Sequence, residues 1–279
     1  MKKQAFFFSL IIVMVLSVSS SQAILVATVS TSADYDTYTD SDSDTSFDLA
    51  IPVEAHAHTW LPGETSDYGK SDAWAAIGDS VRAYSKAQGA YGGVITTSAN
   101  AMQTTEWQIT SDTLEFGTPV SVLLDVSFDG SLYSVGTTIA SASALLDLGD
   151  TTIYQASGTS GYYNTFDSTG AWSGDFTRSS GFSYLDTTDR ITFETQVGQI
   201  FTLKLSLQTE AYVSCASETG ALADFSNSGL YTFAGAENPG AGNPLDVQFE
   251  IVPEPTMLLF LGLGSLSLIR KRRVLLVRH

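Results

Sequence analysis

Apolar and polar residues alternate with a period of two through much of this chain, and the clearest run is Phe201 to Cys215. Phe201, Leu203, Leu205 and Leu207 alternate with Thr202, Lys204, Ser206 and Gln208, and the same phase continues through Ala211, Val213 and Cys215. Successive side chains of a strand point to opposite faces, so this pattern predicts a half-buried strand with the odd positions inward. Ile191, Phe193 and Val197 predict a partner strand, joined to it by a hairpin turn at Gly198-Gln199. Val120, Val122, Leu124, Val126 and Phe128 share one phase of Thr118–Asp129, and Asp129-Gly130 is expected to end that strand. Thr138–Leu148 and Thr151–Ala156 predict two strands around a Gly149-Asp150 turn. Glu106–Ile109 and Leu114–Phe116 predict two short ones. Leu245, Val247, Phe249 and Ile251 alternate in a last strand that runs directly into Pro253.

The segment Ser71–Tyr91 carries two patterns. Ala73, Trp74, Ile77, Val81 and Tyr84 approach helical spacing, yet Ala, Ser and Gly interleave from Ser80 to Tyr91 as in strands of small residues. Strand or irregular structure is the favoured expectation. No proline falls between Val120 and Cys215, as central strands require. The predicted fold is all-β: an antiparallel, jelly-roll-like β-sandwich over residues 24–252, flanked by an N-terminal signal helix and a short C-terminal transmembrane helix.

The ends follow other patterns. Lys2 and Lys3 precede an uncharged run from Ala5 to Val18, and Ser21 and Ala23 flank Gln22. A basic start, a short apolar core and a small-x-small exit predict a secretory signal peptide over residues 1–23, recognised by the export translocon and cleaved after Ala23. At the other end, residues 253–279 join three pieces. Pro253-Glu254-Pro255 fixes φ twice and removes two backbone donors, so it ends whatever folds upstream. Thirteen uncharged residues follow, Met257–Ile269, and then the cations Arg270, Lys271, Arg272 and Arg273, which favour the cytoplasmic membrane face. Thirteen residues make about 20 Å of helix against a hydrocarbon core of about 30 Å, so the anchor is weak and suits transient retention.

Charge narrows the partners. Residues 24–254 hold six cations against 30 acidic residues, a net charge of −24. A body this acidic is repelled by phosphate backbones, which argues against nucleic acid as a partner. Cys215 is the only cysteine, so no disulfide can form within the chain, and its phase makes it a small core hydrophobe.

Four candidate sites remain. Asp40, Asp42 and Asp44 have the spacing that opens a calcium loop, but Thr45 stands where the loop needs glycine and Ile51 where it needs glutamate. An exposed acidic edge strand or loop is the stronger reading, with calcium the one cofactor these carboxylates would suit. Glu54, His56 and His58 alternate onto one face if extended, the start of a metal site to which Glu64 would add a ligand; exposed strand histidines are the stronger reading, and no metal is expected. Tyr162, Tyr163 and Trp172 lie in a Gly/Ser-rich loop, beside Asn164, Asp167 and Asp175, where rings would contact a glycan or else fold back over the core. No nucleophile-elbow, phosphate-loop or metalloprotease motif is present, and no carboxylate pair stands out among the 30 acids, so no catalytic residue and no enzyme is expected.

From Val252 to Arg273 the chain resembles the PEP-CTERM sorting signal of exopolysaccharide-producing Gram-negative bacteria. The resemblance rests on Pro253-Glu254-Pro255-Thr256, on Leu258, Leu259, Gly262 and Leu263, and on the basic cluster. It implies recognition by exosortase at the proline motif, an inner-membrane intermediate, and a final place at the cell surface or in the extracellular polysaccharide matrix. One departure is the tail Val274–His279 after the cations. Ala223-Asp224-Phe225-Ser226-Asn227, before a Gly-Leu-Tyr-Thr-Phe strand, is similar to a short stretch common among such proteins. The expected function is that of an acidic surface or matrix protein with a structural or adhesive role; the alternative is a carbohydrate-binding or, less readily, carbohydrate-processing domain acting on exopolysaccharide.

Overall fold

Fifteen strands account for the regular structure of the computed structural model, which describes residues 24–33, 38–47, 51–60, 68–76, 80–89, 94–135, 138–160, 166–167, 177–179, 182–214 and 219–252. In chain order they are β1 (Ile24–Ala33), β2 (Tyr38–Ser46), β3 (Val53–Trp60), β4 (Tyr68–Ala75), β5 (Val81–Gly89), β6 (Val94–Thr110), β7 (Pro119–Val135) and β8 (Thr138–Leu148). They continue with β9 (Thr151–Ser160), β10 (Phe166–Asp167), β11 (Thr177–Ser179), β12 (Phe182–Gln196), β13 (Ile200–Ser214), β14 (Thr219–Glu237) and β15 (Gln248–Ile251). They build two antiparallel sheets, one ordered β10-β9-β8-β13-β6-β1-β2 with β15 also on β6, the other β11-β12-β7-β14-β5-β4-β3. Among the described residues there is no helix, and none long and apolar enough to cross a membrane. The expected flanking helices lie outside the described residues.

Alternation places the core. Phe201, Leu203, Leu205, Leu207, Ala211 and Val213 of β13 are buried, as are Val120, Val122, Leu124, Val126 and Phe128 of β7, and all belong to one apolar cluster fed by both sheets. Buried hydroxyls meet across it: Ser85 of β5 lies 2.9 Å from Thr209 Oγ1 of β13, and Ser134 of β7 lies 2.9 Å from Ser160 of β9. At one end aromatic rings fill the space. Phe233 stacks on Phe249 at 4.1 Å and meets Trp107 edge-on at 4.8 Å, while the Trp107 indole N–H donates to the Tyr231 hydroxyl. Towards β3, β4 and β5 the core is instead mostly alanine, with Ala55, Ala57, Ala73, Ala75, Ala83 and Ala87 buried.

Four strand expectations need correction. The last strand spans only Gln248–Ile251, which leaves residues 245–247 outside it. The stretch around Asp129-Gly130 does not end β7; the strand runs on to Val135. Glycine is required there because a Cβ would overlap the Phe225 ring of β14. Gly198 does form a turn, with φ of +83°. It joins no hairpin, however: β12 pairs with β7 in one sheet and β13 with β6 and β8 in the other, so the turn carries the chain between sheets. Leu114–Phe116 is bend and turn rather than strand, and Glu106–Ile109 is the end of the longer β6. By contrast β8 and β9 pair directly around Gly149-Asp150, and the described residues of Ser71–Tyr91 lie in or beside β4 and β5.

The first and last strands share an edge. β1 lies along β6 from Ile95 to Thr104, and β13 occupies the opposite edge from Val94 to Gln108. β15 therefore takes the stretch of β6 beyond Thr104 on the β1 side. Ser111 Oγ, just past the end of β6, donates to the Asp246 carbonyl at 2.7 Å and fixes the approach of the last strand.

Candidate functional site on the outer face of β3, β4 and β5

Strand alternation sorts this corner into two faces. Val53, Ala55, Ala57, Ala73, Ala75, Val81, Ala83, Ser85 and Ala87 are buried, which turns Glu54, His56 and His58 of β3 outward, with Lys70, Asp72 and Trp74 of β4 and Arg82, Tyr84 and Lys86 of β5. The register then aligns them in rows. Glu54, Trp74 and Arg82 form one row. His56, Asp72 and Tyr84 form the next and reach Asp224 of β14; His58, Lys70 and Lys86 form the third.

Neighbours within and between rows hold one another. The Arg82 guanidinium lies over the Trp74 ring, 4.3 Å from its centroid, while its Nε–H donates to Ser80 Oγ at 3.0 Å. Lys70 Nζ sits 2.9 Å from Asp72 Oδ2 and 5.4 Å from the Tyr84 ring centroid. His56 Nδ1–H donates to Asp72 Oδ1 at 2.8 Å, and Nε2 lies 3.7 Å from Glu54 Oε2. The hydrogen bond to Asp72 raises the His56 pKa above its ordinary 6.5; burial opposes it, and the charges of Asp72 and Glu54 add to the rise. Tyr84 is raised as well, first by burial and then by Asp224 and Asp72.

A bulge in β14 builds the wall. Between Asp224 and Gly229 two extra residues enter β14 relative to both β5 and β7. Asp224 Oδ1 accepts from the Ser226 N–H at 3.1 Å and from its hydroxyl at 2.6 Å, closing the bulge on itself. Beside Ser226 opens a groove of about 640 Å³, floored by β4 and β5 and lined by Trp74, Arg82, Tyr84, Asp72, His56 and Glu54. Carboxylates accept, cations donate, and aromatic rings offer apolar faces, so the groove suits a ligand carrying both hydroxyls and C–H surface.

The three aspartates of β2 have a different role. β2 and β3 are edge strands of opposite sheets, and among the described residues no further strand pairs with the outward N–H groups of β3. Asp40 Oδ2 accepts from His58 N–H at 2.8 Å, Asp42 Oδ2 from His56 N–H at 3.1 Å and Asp44 Oδ2 from Glu54 N–H at 3.4 Å. The aspartate ladder thus caps the edge of the facing sheet.

Sequence expectation and geometry meet only in part. Glu54, His56 and His58 do share a face, but Asp72 rather than His58 is the partner of His56, and among the described residues no three His, Cys, Asp or Glu side chains converge as a metal site. Ser21, Ala23, Glu64, Tyr162, Tyr163, Trp172, Cys215, Pro253, Glu254, Pro255, Arg270, Lys271, Arg272 and Arg273 lie outside the described residues. Trp74, Arg82 and Tyr84 were not anticipated. A signal existed: Lys70, Arg82 and Lys86 are half the cations of the body, and they alternate with aromatic residues. No family model, curated protein or solved structure matches this chain.

Proposed function

We propose that this chain is an exported, acidic surface or matrix protein with a structural or adhesive role, sorted through residues 253–279 by exosortase. The observation that carries the reading is the relation of the last strand to the proline motif. β15 ends at Ile251, two residues before Pro253, and the strands described before it need nothing downstream to complete their pairing. A cut at Pro253-Glu254-Pro255 therefore removes none of the described strands.

The body reads as a jelly-roll sandwich. The order β12-β7-β14-β5 in one sheet and β9-β8-β13-β6 in the other, with most connections crossing between sheets, supports this reading, with β4 and β3 added on one side and β1 and β2 on the other. Double-sheet jelly rolls include lectin domains, which is compatible with adhesion or glycan binding. Replacing Pro253, Glu254 and Pro255 together by alanine in the native host tests the sorting step. The expected result is a full-length chain accumulating in the inner membrane; normal release to the surface would overturn the reading. Glycan binding is the second reading, favoured by the mixed aromatic and charged groove beside Trp74 and Tyr84.

A further inference from the structure

The body carries −24, yet the outer face of β3, β4 and β5 balances Glu54, Asp72 and Asp224 against Lys70, Arg82 and Lys86. Half of the six body cations are gathered there. The groove lining itself is balanced, Glu54 and Asp72 against Lys70 and Arg82, while the surrounding body, with Asp40, Asp42 and Asp44 at the β3 edge, repels polyanions. What the groove offers is hydrogen-bonding capacity of both kinds next to aromatic carbon. Trp74 and Tyr84 are only partly buried, and each is braced by a cation, Arg82 and Lys70 respectively. Asp72 is fixed by both His56 and Lys70, so its position is set before any ligand arrives.

From this we infer that the groove bounded by Trp74, Arg82, Tyr84, Asp72 and the Ser226 bulge binds a neutral pyranose polymer. Sugar rings present axial C–H groups to aromatic faces and equatorial hydroxyls to carboxylates and guanidinium groups, and this groove holds both partners within one open trough. The volume of about 640 Å³ accommodates a short run of sugar units, and the trough is open rather than enclosed, as a polymer passing through requires. The site lies on strands rather than on a loop, so its spacing is set by the sheet. The bulge at Ser226 confines the ligand on the β14 side.

Naming the polymer as a matrix glycan rests on the surface reading above; the groove itself is tested on purified protein, so binding and sorting fail separately. The full-length chain in non-ionic detergent is run in native gels containing dextran, galactomannan, mixed-linkage β-glucan or polygalacturonate. Retardation by at least one neutral polymer is expected. Trp74→Phe and Arg82→Gln should each weaken it about tenfold, the effect of losing one good contact, with unchanged circular dichroism. Lys204→Gln, on the other sheet, should leave it unchanged. Retardation by no neutral polymer, by polygalacturonate alone, or to the same extent in the Trp74 and Arg82 variants overturns the proposal.

Discussion

Ser85 and Thr209 are fully buried, and their hydroxyls join the two sheets at 2.9 Å through otherwise apolar surroundings. Removing the Ser85 hydroxyl leaves Thr209 Oγ1 without that partner, at about 1–3 kcal/mol; removing the Thr209 hydroxyl costs less, because Ser85 still donates to the Thr209 carbonyl at 3.1 Å, and removing both costs less than the sum. Urea unfolding of Ser85→Ala, Thr209→Val and the double variant should therefore show a clear coupling energy; strict additivity would contradict the pairing. Gly130 makes a second residue-scale case, because Gly130→Ala drives a methyl into Phe225. A loss of about 1–3 kcal/mol is expected from overpacking, with partial recovery in the Phe225→Leu background. His56 adds a pH dependence. Its pKa is raised in the folded chain, so its contribution is complete below the ordinary 6.5 and fades as pH rises through the folded value. An NMR titration should give a midpoint above 6.5 that falls in Asp72→Asn, and a midpoint indifferent to Asp72 would show that the hydrogen bond is not formed in solution.

At the scale of elements, the seam between β2 and β3 is the least obvious feature of the fold. Each sheet ends in an edge strand there, and a row of aspartates on one caps the N–H groups of the other. Edge strands protected this way resist pairing with other copies. Asp42→Ala should cost about 0.5–1.5 kcal/mol and speed amide exchange at His56, while Asp42→Asn, which keeps an acceptor, should lie between. Exchange at His56 unchanged in both variants would remove the capping role. Little of this seam was legible in the sequence: the spacing of Asp40, Asp42 and Asp44 gives one charged face of an edge strand, but not the facing sheet that uses it. Strands such as β7, β8 and β13 were legible because large apolar residues alternate cleanly. β1 and the first half of β6 were not, since Ala27, Ala33, Thr97 and Ala99 fill their inward positions with residues that pattern reading treats as neutral. Pairing was harder still. The turn at Gly198 is legible from glycine, yet nothing local to it tells whether the next strand stays in the same sheet or crosses to the other.

For the molecule as a whole, the body and its flanking segments follow separate physics. The body stands on a core shared by two sheets and on sparse surface pairs such as Arg190 with Asp125, whose two nitrogens lie 2.7 and 2.9 Å from the two carboxylate oxygens. That pair holds the Asp125 pKa down, so its contribution is present above the ordinary 3.8 and is lost as pH falls through the depressed value. In the proposed reading the flanking segments carry address information in charge, apolar length and proline, and the sorting role depends on the second of them being cut. Mass spectrometry of the carboxyl terminus, in native cells and in cells lacking exosortase, tests this most directly. The expected result is a terminus at or beside Pro253-Glu254-Pro255 in native cells and an intact His279 without the protease; the same terminus in both would contradict the account.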